Sequence, residues 1–250
     1  MSTNNKVFSN TFEQPKGRED LVLCAMELHG SNSVVFGNHF INQTSWVNLA
    51  TNPIESIVGN YIVTGNTGEA IENLGRIWSG ESTDDADLSD IVVTGNNVTF
   101  IDSDKYDVTN RNRALVGTGG FNKSLKSLVV SGNTVQVQTL TDVKPVYMVD
   151  LAVQYDWVSD IGNIVISGNT GFDVTGFASI GRHLTQAIAN CLIRNINVYG
   201  NNIFNTANAY IKPVTINQID DPTVSVRNLS VGGNVVSSTH NKLYWFVRTE

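Results

Sequence analysis

A short stretch, Ile-Val-Ile-Ser-Gly-Asn at Ile164–Asn169, returns in variant form at Val34–Asn38, Ile62–Asn66, Ile91–Asn96, Leu128–Asn133, Ile196–Asn201 and Leu229–Asn234. Aligned on the Asn, the position three before it is Val35, Val63, Val93, Val130, Ile166, Val198 or Val231, always β-branched. Five before it stand Ser33, Tyr61, Ile91, Leu128, Ile164, Ile196 and Leu229. Two after it stand Phe40, Gly68, Val98, Val135, Gly171, Ile203 and Val236. Period-2 alternation that ends on a Gly able to take positive φ describes a strand running into a turn.

Self-similarity at a fixed interval is the mark of a solenoid. The motif glycines fall at 37, 65, 95, 132, 168, 200 and 233, a spacing of 28 to 37 residues. One strand cannot fill that length, so each coil carries further strands and a loop. Helical repeats would show a 3.6-residue period and few glycines, whereas this chain alternates and holds 21 Gly. Leucine-rich repeats would show a denser Leu pattern. An all-β parallel β-helix of about seven coils remains, with like residues stacked about 4.8 Å apart. Its motif asparagines then stack amide to amide, and Asn133 in the middle is expected to matter more than Asn38 near the end.

The Ser-Gly-Asn and Thr-Gly-Asn turns resemble those of the right-handed parallel β-helix (pectate-lyase-like) superfamily over roughly residues 20–250. Ser131-Gly132-Asn133-Thr134 and Ser167-Gly168-Asn169-Thr170 resemble phage tailspike repeats in particular. The resemblance implies a right-handed coil and a virion structural or tailspike-like appendage protein, adhesive or architectural. It presents a flank to a glycan or to another virion protein. The alternative that the resemblance permits is a polysaccharide depolymerase, a glycosidase or a lyase. Long tailspikes carry many coils and a trimerisation tail; neither is evident here, which favours the non-enzymatic reading.

Residues 1–19 read as a polar arm or cap and 20–250 as the β-helix domain. Asp20–Gly30 reads as a strand, because equivalent apolar stretches precede later motifs at 75–78, 113–116, 145–149 and 178–181. A net charge of −7 argues against a nucleic-acid partner. The first residues lack a basic-then-apolar leader, and no apolar run approaches the roughly 18 residues of a membrane span. The expected location is the virion, after synthesis in the host cytoplasm. Cys24 and Cys191 belong to distant coils and read as small buried residues rather than a disulfide.

A β-helix glycosidase or lyase needs carboxylates on adjacent coils, about 5–5.5 Å apart for retention and 6.5–9.5 Å for inversion. Glu55 and Asp85 each stand ten residues before a motif Gly and are the weak catalytic candidates. The default reading is solvated loop acids and no catalysis. Asp84-Asp85-Ala86-Asp87 has calcium-type ligands without the EF-hand spacing, so neither a metal nor a cofactor is expected. Arg18, Arg76, Arg113 and Arg182 precede their motif glycines by 19, 19, 19 and 18 residues. Such registry predicts a basic stripe that either holds an acidic glycan or pairs with stacked loop carboxylates. Arg76, Arg113 and Arg182, with Trp78 and Trp157 beside polar loops, are the glycan-binding candidates.

The position four before each motif Asn points away from the core. It is Val34, Ile62, Val92, Val129 and Val165 in five successive motifs, then Asn197 and Ser230. Five outward aliphatics at strand spacing form a stripe that something must cover. The loops of this chain are one candidate cover. Another subunit, in a homotrimer, is the other and the preferred one.

Overall fold

The computed structural model describes residues 4–17, 24–50, 57–78, 87–103, 113–118, 124–138, 145–153, 159–183, 191–206, 211–216, 224–239 and 247–249. Among them there are strands and no helix, and every ladder is parallel, so the chain is a parallel β-solenoid. One sheet runs, in order, Lys6–Phe8, Ser33–Phe36, Ile57–Thr64, Asp87–Thr94, Leu128–Ser131, Ser159–Ser167, Cys191–Tyr199 and Val224–Gly232. Seven of these eight carry the Gly-Asn motif. The eighth, Lys6–Phe8, pairs in register with Val34–Phe36, so "about seven" coils is one short among the described residues. Thr11–Glu13 likewise pairs with the start of His39–Ala50. Strands of both sheets therefore lie inside the stretch expected to be an arm or cap.

The second sheet supplies the other sides of each coil. A short strand follows each Asn, for example Asn97–Phe100, Thr134–Val137, Thr170–Phe172 and Asn202–Asn205. A returning strand closes the coil: Arg113–Thr118, Val146–Val153, Gly176–His183 and Val214–Ile216 pair in succession. In His39–Ala50 and Thr67–Trp78 the two are one continuous strand. The returning strands coincide with the apolar stretches expected upstream of each motif, and Met26–Leu28 is a strand as expected.

Register follows the repeat. Leu128 pairs with Ile91 on one side and Ile164 on the other, and Val130 with Val93 and Ile166. Val35, Val63, Val93, Val130, Ile166 and Val198 are all fully buried. At about 1.5–3 kcal/mol for each aliphatic side chain removed from water, this column is a main source of stability.

The turn asparagines form the expected ladder. Each donates its backbone N–H and its Nδ2 to the Oδ1 of the next, from Asn38 to Asn66, Asn96, Asn133, Asn169, Asn201 and Asn234, at 2.9–3.0 Å. The second Nδ2 proton reaches back to the preceding coil, as from Asn133 to the Val93 carbonyl at 3.0 Å. Asn10 adds a rung, its N–H donating to Asn38 Oδ1 at 3.0 Å. Asn38 is therefore an interior rung, 1% exposed, and not the lightly loaded end that its place in the motif series suggests.

A further bend lies six residues before every rung except Asn133. Asn4, Asn32, Asn60, Asp90, Asn163, Asn195 and Asn228 all have φ between 51° and 75°. Asn and Asp tolerate this left-handed region better than other residues with a Cβ. Exposed side-chain bonds join several of them, from Asn60 to Asn32 at 2.7 Å, Asn195 to Asn163 at 3.1 Å and Asn228 to Asn195 at 3.0 Å.

Candidate functional site

On a solenoid the candidate sites are its flanks, because each outward column repeats along the axis. The motif sheet presents the aliphatic column. Val34 pairs with Ile62, Ile62 with Val92, Val92 with Val129 and Val129 with Val165, followed by Asn197 and Ser230. All five aliphatics are partly exposed between buried neighbours. Phe36, 52% exposed, extends the apolar surface beside Val34. On the same sheet Asp160 accepts from Arg194 Nε at 3.0 Å, and the carboxylate raises the guanidinium above its usual range.

The returning strands present a polar column instead. Asn48 pairs with Arg76, Arg76 with Gly117, Gly117 with Asp150, Asp150 with Ser179 and Ser179 with Thr215. The side-chain-bearing members are all buried, with Arg76 the most open at 9%. The equal spacing of the arginines does not become one stripe. Arg76 stands opposite Gly117, four residues beyond Arg113 in that strand, and Arg182 stands opposite Ala152. Loop lengths differ between coils, so a count through a loop does not measure register. Arg18 lies outside the described residues, as does the side chain of Arg182. Arg113 is 1% exposed, its Nε donates to the Ile71 carbonyl at 2.8 Å, and its Nη2 lies 3.4 Å from Asp102 Oδ1. It faces protein rather than solvent.

The catalytic candidates Glu55 and Asp85, and Trp157, lie outside the described residues; Trp78 pairs through its backbone with Ala50, its side chain also lying outside them. Several described carboxylates have evident structural roles. Asp87 holds Lys126 Nζ at 2.7 Å and the Ser124 N–H at 3.2 Å, and Glu69 accepts from the Asn42 N–H at 3.1 Å. No group of three His, Cys, Asp or Glu suited to a metal ion occurs among the described residues. Cys191 is buried and Cys24 half-buried, and both thiols are free.

The strands after the Asn turns carry a feature absent from the sequence-based candidates. Phe172 and Phe204, paired in register, stack with ring centroids 5.5 Å apart and remain 41% and 42% exposed. Both lie three residues after a turn Asn, where the other motifs place Ile41, Glu69, Thr99, Gln136 and Ser237. That shared offset was the available signal.

No family model and no curated protein matches this chain. Solved structures do. The tailspike protein of E. coli bacteriophage HK620, in complex with a pentasaccharide, aligns with a TM-score of 0.62 at 13% identity, over 98% of this chain and 46% of that one. The chain shares the tailspike's fold. A mutant of that tailspike in complex with a hexasaccharide gives 0.58 at 11% identity, and another mutant 0.63 at 12%, with the same coverages. The likeness at these identities is one of fold, and the chain spans less than half the length of those tailspikes.

Proposed function

We propose that this chain is part of a virion appendage of tailspike type and works by binding: one flank packs on another subunit and the remaining surface meets a cell-surface polysaccharide. The observation that carries the reading is the unbroken, in-register aliphatic column Val34–Ile62–Val92–Val129–Val165 on the outside of a tailspike-like solenoid. An aliphatic row of this length is costly to leave in water. A three-fold arrangement of like chains covers it most simply, and the polar coils beyond Asn197 are then free to face elsewhere. The fold match to tailspikes solved with oligosaccharides supports a glycan as the second partner.

The test is the mass in solution of wild type and of the Val92→Lys/Val129→Lys double variant. The expected outcome is a wild-type trimer and a folded, monomeric variant. A wild type that is monomeric at micromolar concentration, or a variant that unfolds outright, refutes the intersubunit cover in favour of cover by this chain's own loops. The second reading is a depolymerase, supported by the same oligosaccharide-bound tailspikes. New reducing ends, or the absorbance of an unsaturated product, abolished by Glu55→Gln or Asp85→Asn, select it over simple adhesion.

A further inference from the structure

We infer that Phe172 and Phe204 form a stacking subsite for one ring of a neutral saccharide, an inference that rests on the glycan-binding part of the function proposed above. The column of these rings continues with Gln136 before Phe172 and Ser237 after Phe204. Adjacent strands stand about 4.8 Å apart, so Ser237 lies one rung beyond the Phe204 ring. A serine side chain is too short to cover a phenyl face. Phe204 therefore offers a ring face above a hydroxyl, in the place where a third ring of the stack would stand. A pyranose at this rung sets its C–H face on Phe204 and a hydroxyl on Ser237, combining an apolar face with a polar edge.

The surroundings select the occupant. The patch is two rings wide; Thr170 and Asn202 lie two residues earlier in the same strands, and Val235, 52% exposed, pairs with Asn202 two residues before Ser237. A stable protein partner needs about 800 Å² on each side, which two rings and one valine among polar side chains do not supply. A nucleobase would also stack, but its phosphates would meet a chain of net charge −7. The neighbouring Asp173, which accepts from the N–H of Thr206 at 2.6 Å and its hydroxyl at 3.0 Å, adds to that repulsion. The same charge disfavours uronic or phosphorylated sugars. The other phenylalanines exposed among the described residues, Phe8 and Phe36, are built differently. Phe36 Cε2 stands 3.1 Å from where a Cβ on Gly65 would lie, so its ring covers the next turn, beside the aliphatic flank.

The experiment probes the whole chain with an array of bacterial surface oligosaccharides, half neutral and half uronate- or phosphate-bearing. The best binder is then titrated while the ring resonances of ¹³C-labelled phenylalanine are followed. The expected result is a neutral binder that shifts the Phe172 and Phe204 rings. The Phe172→Ala/Phe204→Ala variant then binds about tenfold more weakly, whereas Phe8→Ala binds as wild type. If the alanine variant loses its fold, Phe172→Gln/Phe204→Ser replaces it, using side chains that the same column already carries. Wild-type binding that persists unchanged in the double variant overturns the subsite and leaves the glycan-binding reading standing. A wild type that binds nothing on the array removes both.

Discussion

Removal of one amide from the middle of the asparagine ladder separates interior from end rungs. Asn133 Oδ1 accepts from the Asn96 N–H and the Asn96 Nδ2, both at 2.9 Å. Its Nδ2 donates to the Val93 carbonyl at 3.0 Å, the Ser131 carbonyl at 3.1 Å and Asn169 Oδ1 at 2.9 Å. In Asn133→Ala the Asn96 N–H stays buried and loses its acceptor. An orphaned buried donor costs about 1–3 kcal/mol and the lost bond to Val93 about 0.5–1.5 kcal/mol more, so the expected loss is about 2–4 kcal/mol. Asn10 is exposed and its own N–H still reaches Asn38 after truncation, so Asn10→Ala is expected to cost less than about 1 kcal/mol. Equilibrium urea unfolding gives the two values. Because a solenoid can unfold in sections, hydrogen exchange at the Asn96 amide is read alongside, and it should lose protection only in Asn133→Ala. Equal costs for the two variants, or an Asn96 amide as slow as in wild type, refute the ladder as a source of stability.

The glycines divide into two kinds. Gly95 has φ 63° and nothing closer than 3.9 Å to an added Cβ, so Gly95→Ala should cost only the left-handed backbone penalty of about 1–2 kcal/mol. Gly68 has φ 140°, and an added Cβ would stand 1.9 Å from the Phe40 carbonyl oxygen, so Gly68→Ala should cost about 4 kcal/mol or more; similar melting temperatures for the two variants contradict this. Burial, with Asp160 adding, pushes the Cys191 thiol from 9.0 up to about 12. A folded-state value above the unfolded one contributes stability that is complete at lower pH and is lost as pH rises through that window. The stability difference between wild type and Cys191→Ala should therefore be constant below about pH 8 and shift against wild type between about pH 9 and 12; a flat difference across that range disproves it.

The motif strands were legible because their signal is local. Alternate side chains of a strand point to opposite faces by covalent geometry, so Val93, Val130 and Ile166 announce a buried column, and Val92, Val129 and Val165 an outward one, without reference to distant residues. A Gly before an Asn marks the turn in the same local way. Lys6–Phe8 escaped because Ser9 takes the place of the turn Gly at φ 54°, which removes the most visible letter of the motif. Gly59-Asn60, a second Gly-Asn pair six residues before Gly65-Asn66, is the ordinary outer bend of its coil, and Gly59 is needed because a Cβ there would stand 2.5 Å from the Ser89 carbonyl oxygen.

What depends on relations between coils was decided only by the tertiary structure. Each coil has its own loop lengths, so residues at equal distance from a motif Gly need not share a column, and Arg76 and Arg113 separate for that reason. Phe172 and Phe204 are neighbours although 32 positions apart in the chain, because both stand three residues after a rung Asn and the ladder sets the register there. The sequence alone determined the repeat, the alternation and the turn, which are properties of one coil. Stacking determined which side chains meet, because parallel pairing carries each residue onto the next coil at strand spacing, whatever the length of the loop between them.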